Sequence, residues 1–167
     1  VESSIDVIYD YLENDWTGGD CRITLNITEE RPRGTAEDLA QVQDLLGSFT
    51  TDYSTSNSNR SGNVANGCSK INGTLLFPGE EFSATDTVSP FTAANGYALA
   101  GAYLNGKVVN SVGGGICQVS STLYRAVLEA ELEVTERYQH SMVVSYVEPS
   151  MDATIAEGSL DFKFRNN

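Results

Sequence analysis

The chain is short of positive charge. Its 167 residues hold ten lysines and arginines against 23 aspartates and glutamates, a formal net charge of −13. No basic run could offset the repulsion of phosphates, which excludes a nucleic-acid partner and argues equally against docking on anionic lipid. Long hydrophobic runs are missing too. Nothing approaches the roughly 20 apolar residues that cross a bilayer, so no direct membrane insertion of this fragment is expected. Cysteine is scarce: three are too few for a disulfide scaffold, and an odd number allows one bridge, Cys21 with Cys68, beside a free Cys117. Histidine is scarcer still, His140 being the single one. These residues form neither C-x-x-C nor H-E-x-x-H, no acidic run is spaced as a calcium loop, and no glycine run ends in GK[ST]. Neither a metal nor a cofactor is expected.

What is present is enough for one ordinary domain: 40% of the residues are apolar, sufficient for a real core. Ile5, Ile8, Tyr9, Leu12 and Trp16 share a helical face, and Cys21 to Ile27 alternates like a strand after the turn at TGGD. GTAEDLAQVQDLLGSF predicts a helix. Thr35 can cap it, Asp38 completes a capping box, Leu39, Val42, Leu45 and Leu46 form a stripe, and Gly47 stops it. Residues 51–66 are strongly polar and read as an ordered loop or a short, weakly specified helix. Pro78-Gly79 makes a turn, and Asn105-Gly106 marks a hairpin. From Cys117, the apolar residues Val119, Leu123, Val127, Leu128 and Leu132 recur at helical spacing. Residues 141–147 and 153–156 then read as neighbouring strands, and SLDFKFRN alternates once more. The order predicts an α+β fold in which the helix from Cys117 packs on an antiparallel sheet of short strands. Residues 1–47 are expected to form a helix/strand/helix segment packed on a main domain of residues 48–167.

The stretch SVGGGICQVSST raises the chemical question. A cysteine at a helix N-terminus meets unpaired N–H groups and partial positive charge, which stabilise a thiolate. The N–H groups of Gly114, Gly115 and Cys117 can cradle an oxyanion. His140 follows the helix, and Asp152 lies beyond the next turn. Cysteine, histidine and carboxylate in that order are what a thiol acyl-transfer enzyme needs: a base at the sulfur and an acid fixing the tautomer from behind. Each residue also has a plainer reading: Cys117 as a small buried hydrophobe, His140 as structural, Asp152 as a turn cap. Ser120 and Ser121 are rival nucleophiles whose hydroxyls can instead bond back to carbonyls. Gln118 can reach an oxyanion or hold the thiol, although neighbouring helical positions diverge.

The run GGGICQVSSTLYRAVLEAELEVTERYQHSMVVSYVEPSMDATI, with INGTLLFPGEEFS upstream, resembles the VanW-like domain family over about residues 48–166. Cys68 stands where that pattern favours a small residue. The resemblance implies a Gram-positive, extracellular, cell-wall enzyme, secreted or anchored through a segment absent from this chain. It implies an L,D-transpeptidase that joins peptidoglycan tetrapeptide stems, as donor and acceptor, by 3→3 cross-links through a thioester. Water in place of the acceptor would make it an L,D-carboxypeptidase. Cys117, His140 and Asp152 match the family's catalytic residues. The donor ends in a carboxylate, so Arg60 and Arg137 are candidates to bind it, with Gln118 and Ser120 nearby. The reading of a different class is a non-catalytic module that grips peptidoglycan stems with the same cleft.

Overall fold

The computed structural model describes residues 2–25, 34–104 and 106–167. It divides the chain into two compact units, Val1–Asp44 and Leu45–Asn167.

In the smaller unit, the apolar face of IDVIYDYLENDW lies on α1, Glu2–Asn14. The capping box at Thr35 forms: its hydroxyl accepts from Asp38 N–H, and the Asp38 carboxylate accepts from Thr35 N–H at 2.8 Å. The helix it starts, α2, is only Ala36–Ala40. Residues 21–25 adopt no regular strand, and the rest of the expected strand to Ile27 lies outside the described residues.

The larger unit explains why the helix expected to run through Leu46 stops early. A Cβ on Gly47 would stand 2.2 Å from the carbonyl oxygen of Ala126, so this glycine packs directly on helical backbone. From there the chain runs irregularly, fastened by Ser48 N–H to Glu129 Oε2 (3.2 Å) and by Thr51 Oγ1 to Thr122 Oγ1 (2.8 Å). Leu45 is left 81% exposed. The capping box supplies a start, but packing decides helix length more than propensity does.

The polar stretch after residue 51 holds a full helix, α3, Ser58–Ile71, capped by Asn57. Its buried face is Asn63, Val64 and Gly67, so little apolar period exists to read. After β1 (Glu81–Ser83) and α4 (Ala84–Val88) comes the expected hairpin. β2 (Leu99–Leu104) pairs antiparallel with β3 (Lys107–Val112), and Gly106 has φ 72°. Helix α5 spans Ile116–Glu129, and β4 (Glu133–Glu136) and β5 (Lys163–Arg165) complete the elements. α3 approaches α5 closely at Gly67, where a Cβ would lie 2.8 Å from Ile116 Cδ1.

The sheet is antiparallel in the order β1-β5-β4. Phe164, in the central strand, faces Phe82 on one side and Val134 on the other. Tyr124 of α5 meets Phe162 edge-on at a 5.5 Å centroid distance, and Phe82, Val119, Val127, Ile155, Phe162 and Phe164 share one core. The fold is α+β, as expected. Its sheet differs in membership: residues 141–147 and 153–156 are not strands, apart from a single bridge from Ala156 to Leu160. Side chains satisfy this backbone in place of a ladder. Ser120 Oγ donates to Ala153 O at 2.6 Å, and Ala153 N–H donates to Ser121 Oγ at 3.0 Å. Among the described residues no helix is long and apolar enough to cross a membrane.

Candidate active site

Three glycines deliver Cys117 to the first turn of α5. Gly113 and Gly115 have φ of 82° and 104°, the left-handed region that an L side chain rarely adopts. Gly114 is needed for space instead: a Cβ there would stand 2.4 Å from Ala100 O and 2.7 Å from Gly101 O, both backbone atoms of β2. Asn63, completely buried, braces the loop from α3. Its amide donates to Gly114 O (2.9 Å) and Ala98 O (3.0 Å) and accepts from Ala98 N–H (2.8 Å). Gly114→Ala is therefore expected to cost about 2–3 kcal/mol, because backbone rather than a pliable side chain must yield. Urea unfolding measures this.

The loop also sorts its donors. Gly114 N–H is engaged by Ser111 O at 3.2 Å, whereas the N–H groups of Gly115 and Cys117 have no acceptor among the described residues. Those two amides at the positive end of a 14-residue helix are free to hold an anion.

The Cys117 thiol is half-buried, 3.4 Å from Ile155 O and 3.6 Å from Thr154 Oγ1. Burial opposes its ionisation. The hydrogen bond from His140, the Ile155 backbone, the His140 charge and the Thr154 hydroxyl together outweigh burial, and the thiol lies below its ordinary pKa. His140 mirrors this: burial lowers it, but Cys117 and then Asp152 raise it above its ordinary value. Both shifts favour a thiolate–imidazolium pair.

Asp152 fixes the imidazole from behind. Its Oδ2 lies 2.5 Å from His140 Nδ1 and also accepts His140 N–H at 2.7 Å. Nδ1 is thereby committed to the carboxylate, which leaves Nε2 for sulfur. Asp152 is itself buried. Burial alone would raise its pKa, yet the His140 backbone and side-chain hydrogen bonds hold it below the ordinary carboxylate value. Arg137 Nε donates to Asp152 O (2.7 Å), and its Nη2 donates to Ser150 O (2.8 Å). Ser120 and Ser121 pin Ala153 onto α5, so one helix carries the thiol and braces the residue after the acid.

Cys117, His140 and Asp152 are thus brought together, with Gly115 adjoining the thiol. Gln118 points elsewhere: its amide donates to Thr51 Oγ1 (3.1 Å) and Asp52 O (3.0 Å). Ser120 is buried against Ala153 O, and Arg137 is occupied with the 150–152 turn. Arg60 lies along Gly115. Four neighbours carried no sequence signal: Asn63, Thr154, Tyr103, whose ring meets that of His140 edge-on at 6.3 Å, and Tyr146, whose phenol is pushed up by burial and by the charge of Cys117. Tyr146 falls in a segment read as a strand, where alternation does not distinguish a site-facing tyrosine from a core one.

The other two thiols are unpaired. Cys21 is exposed and free in the smaller unit. Cys68 is free and lines a groove of about 380 Å³ with Gln118, Val119 and Leu123, and burial pushes its thiol up. Serine at either position is expected to leave most thiol-dependent activity, measured as turnover beside the parent chain. Among the described residues no three His, Cys, Asp or Glu side chains converge as a metal site.

A family model described as VanW like protein matches residues 59–167. The chain is 40% identical over 136 residues to the uncharacterized protein YoaR of Bacillus subtilis, covering 81% of this chain and 45% of the relative. It is 36% identical over 103 residues to the vancomycin B-type resistance protein VanW of Enterococcus faecalis, covering 58% of this chain and 37% of the relative. The chain thus spans less than half the length of either curated relative. No solved structure matches. With a family match that takes in the glycine loop, the thiol, the histidine and the acid, the chain belongs to the VanW-like family.

Proposed function

We propose that this chain is a cysteine-dependent L,D-transpeptidase acting on peptidoglycan stems at the extracellular face of the cell envelope. The observation that carries the reading is Asp152 seated on His140 Nδ1, with His140 near enough to Cys117 that the thiol is shifted down and the imidazole up. A structural cysteine has no need of a charged imidazole, and a binding cleft has no need of a thiolate.

The geometry supports a definite sequence of steps. The Cys117 thiolate attacks the carbonyl at the L-centre of diaminopimelate in a tetrapeptide donor. The oxyanion forms beside the free N–H groups of Gly115 and Cys117. As the C–N bond breaks, the His140 imidazolium gives its proton to the departing D-alanine amine, leaving a thioester and neutral imidazole. The side-chain amine of diaminopimelate on a second stem attacks the thioester and loses a proton to His140. A 3→3 amide forms, and thiolate and imidazolium return. Water in place of that amine gives carboxypeptidase products.

Intact-protein mass after incubation with a tetrapeptide stem tests this. The expected adduct on Cys117 is the stem less one alanine, and the expected product is a stem dimer lacking one alanine. Hydrolysed stems alone would keep the thiol chemistry and remove cross-linking. Unchanged stems that still bind Cys117→Ala would mark a stem-gripping module without chemistry.

A further inference from the structure

The hairpin of β2 and β3 is a two-stranded sheet, so each strand has one edge without a neighbouring strand. Along an antiparallel pair, successive residues turn their N–H and C=O groups alternately toward the partner and away from it. Gly113 N–H donates to Ala98 O at 3.1 Å, which sets the phase: Ala100 and Ala102 turn inward to Ser111 and Val109. Leu99, Gly101 and Tyr103 therefore turn theirs outward. Leu99 O agrees, since it accepts from the Asn59 amide of α3 at 3.0 Å. The main-chain groups of Gly101 and Tyr103 have no partner among the described residues, and both residues are exposed.

This free edge runs past the reactive centre. At its start, a Cβ on Gly114 would stand 2.4 Å from Ala100 O and 2.7 Å from Gly101 O, so the loop that carries Cys117 packs on the strand's backbone. At its end, the Tyr103 ring meets that of His140 at a 6.3 Å centroid distance. The edge from 101 to 103 thus spans from the nucleophile's loop to the base. Gly101 puts no side chain in the way, and the nearest atom to a Cβ there would be Val108 Cγ1 of its own hairpin, 3.6 Å away.

We infer that the acyl-donor peptide binds as a third strand on the outer edge of β2, paired through the main-chain groups of Gly101 and Tyr103. This rests on the acyl-transfer reading above and adds how the donor is gripped. A peptide with its carbonyl at Cys117 and its departing amine at His140 runs along this strand. Unpaired N–H and C=O groups on a strand edge are a template for such pairing, and main-chain bonds give affinity without reading side chains.

Amide hydrogen exchange in the Cys117→Ala protein tests this, with L-Ala-γ-D-Glu-diaminopimelyl-D-Ala as the probe. In the free chain the N–H groups of Gly101 and Tyr103 should exchange fast, while β3 protects those of Ala100 and Ala102. At saturating peptide the first two should slow about tenfold or more, and Val108 and Asn110, on the opposite edge, should not change. Gly101→Pro in this background deletes one outward donor and leaves the ladder whole, since proline is tolerated where the N–H faces away. It should weaken peptide binding about 5- to 10-fold, the scale of one hydrogen bond, whereas Gly101→Ala, which keeps the donor, should stay within about twofold. Three results would each overturn the pairing: no saturable binding, saturation without slowing at Gly101 and Tyr103, or equal affinities of the proline and alanine variants at matched unfolding midpoints. If the edge is protected but the chain carrying Cys117 forms no thioester with the peptide, the acyl-transfer reading fails and the pairing stands. A thioester formed without slowed exchange removes the pairing and keeps the chemistry.

Discussion

Cys117→Ala is expected to abolish donor cleavage and cross-linking while the chain stays folded. The thiol's contacts to Ile155 O and Thr154 Oγ1, at 3.4 and 3.6 Å, are weak, so the folding cost should be no more than about 1 kcal/mol. The chemical loss is of another order, because the hydroxyl nearest the sulfur, that of Thr154, is a far weaker nucleophile than a thiolate. Ser120 and Ser121 are buried, with their hydroxyls bonded to Ala153. Cys117→Ser should rescue little, since the surroundings that ionise a thiol at neutral pH leave a hydroxyl protonated. Muropeptide mass spectrometry reads the turnover, and a thermal scan reads the fold. Residual dimer formation above about one part in a thousand in the alanine variant would place the nucleophile elsewhere.

His140→Ala is expected to lower kcat by roughly two to four orders of magnitude, the usual scale for a lost general acid–base. The pH profile distinguishes this from mere loosening. In the parent the thiolate persists below its usual range, near 8.5, and the imidazolium persists above about 6.5, so activity should plateau around neutrality. Without His140 the rising limb should move up toward an ordinary thiol. Stability follows the signs of the same shifts. The histidine's pKa is raised, so its contribution is full below about 6.5 and lost as pH climbs through the folded value. The acid's pKa is lowered, so Asp152 contributes above about 3.9, and this is lost as pH falls through its folded value. Urea midpoints across pH 3–9 should show both edges in the parent, with the alkaline one gone in His140→Ala.

The chemistry was more legible than the backbone that presents it. A single histidine, a glycine run before a cysteine and one aspartate past a turn can be read because they are rare, and rarity survives any fold. The segment after His140 was misread because SMVVSYV alternates as a strand would, yet Val143 is 79% exposed while its neighbour Val144 is buried against the core. Further on, serines on α5 and Arg137 satisfy the backbone of Ser150, Asp152 and Ala153, and such long-range side-chain bonds leave no periodic trace. α3 was obscure for a related reason. Its contact face is Asn63, Val64 and Gly67, chosen for hydrogen bonding and close approach rather than apolarity. The helix expected through Leu46 shows the opposite error, a clear pattern that packing at Gly47 overrides. Arg60 was legible as a charge, but not as one lying against the glycine loop.

The chain leaves His140 and returns at Asp152 to the point it left, since the acid grips the histidine's own N–H and Thr154 N–H reaches back to Tyr138 O at 2.8 Å. The intervening residues hang from a closed neck. Exchanges at their exposed positions, such as Val143, can therefore accumulate without moving acid, base or nucleophile, whereas the buried Val144 anchors the loop. Tyr146 sits on this loop, so under the proposed acyl-transfer reading the rim of the site belongs to the part freest to vary. A lineage could refit that loop to a different wall peptide by changing one surface segment, keeping the reactive centre beneath it as inherited.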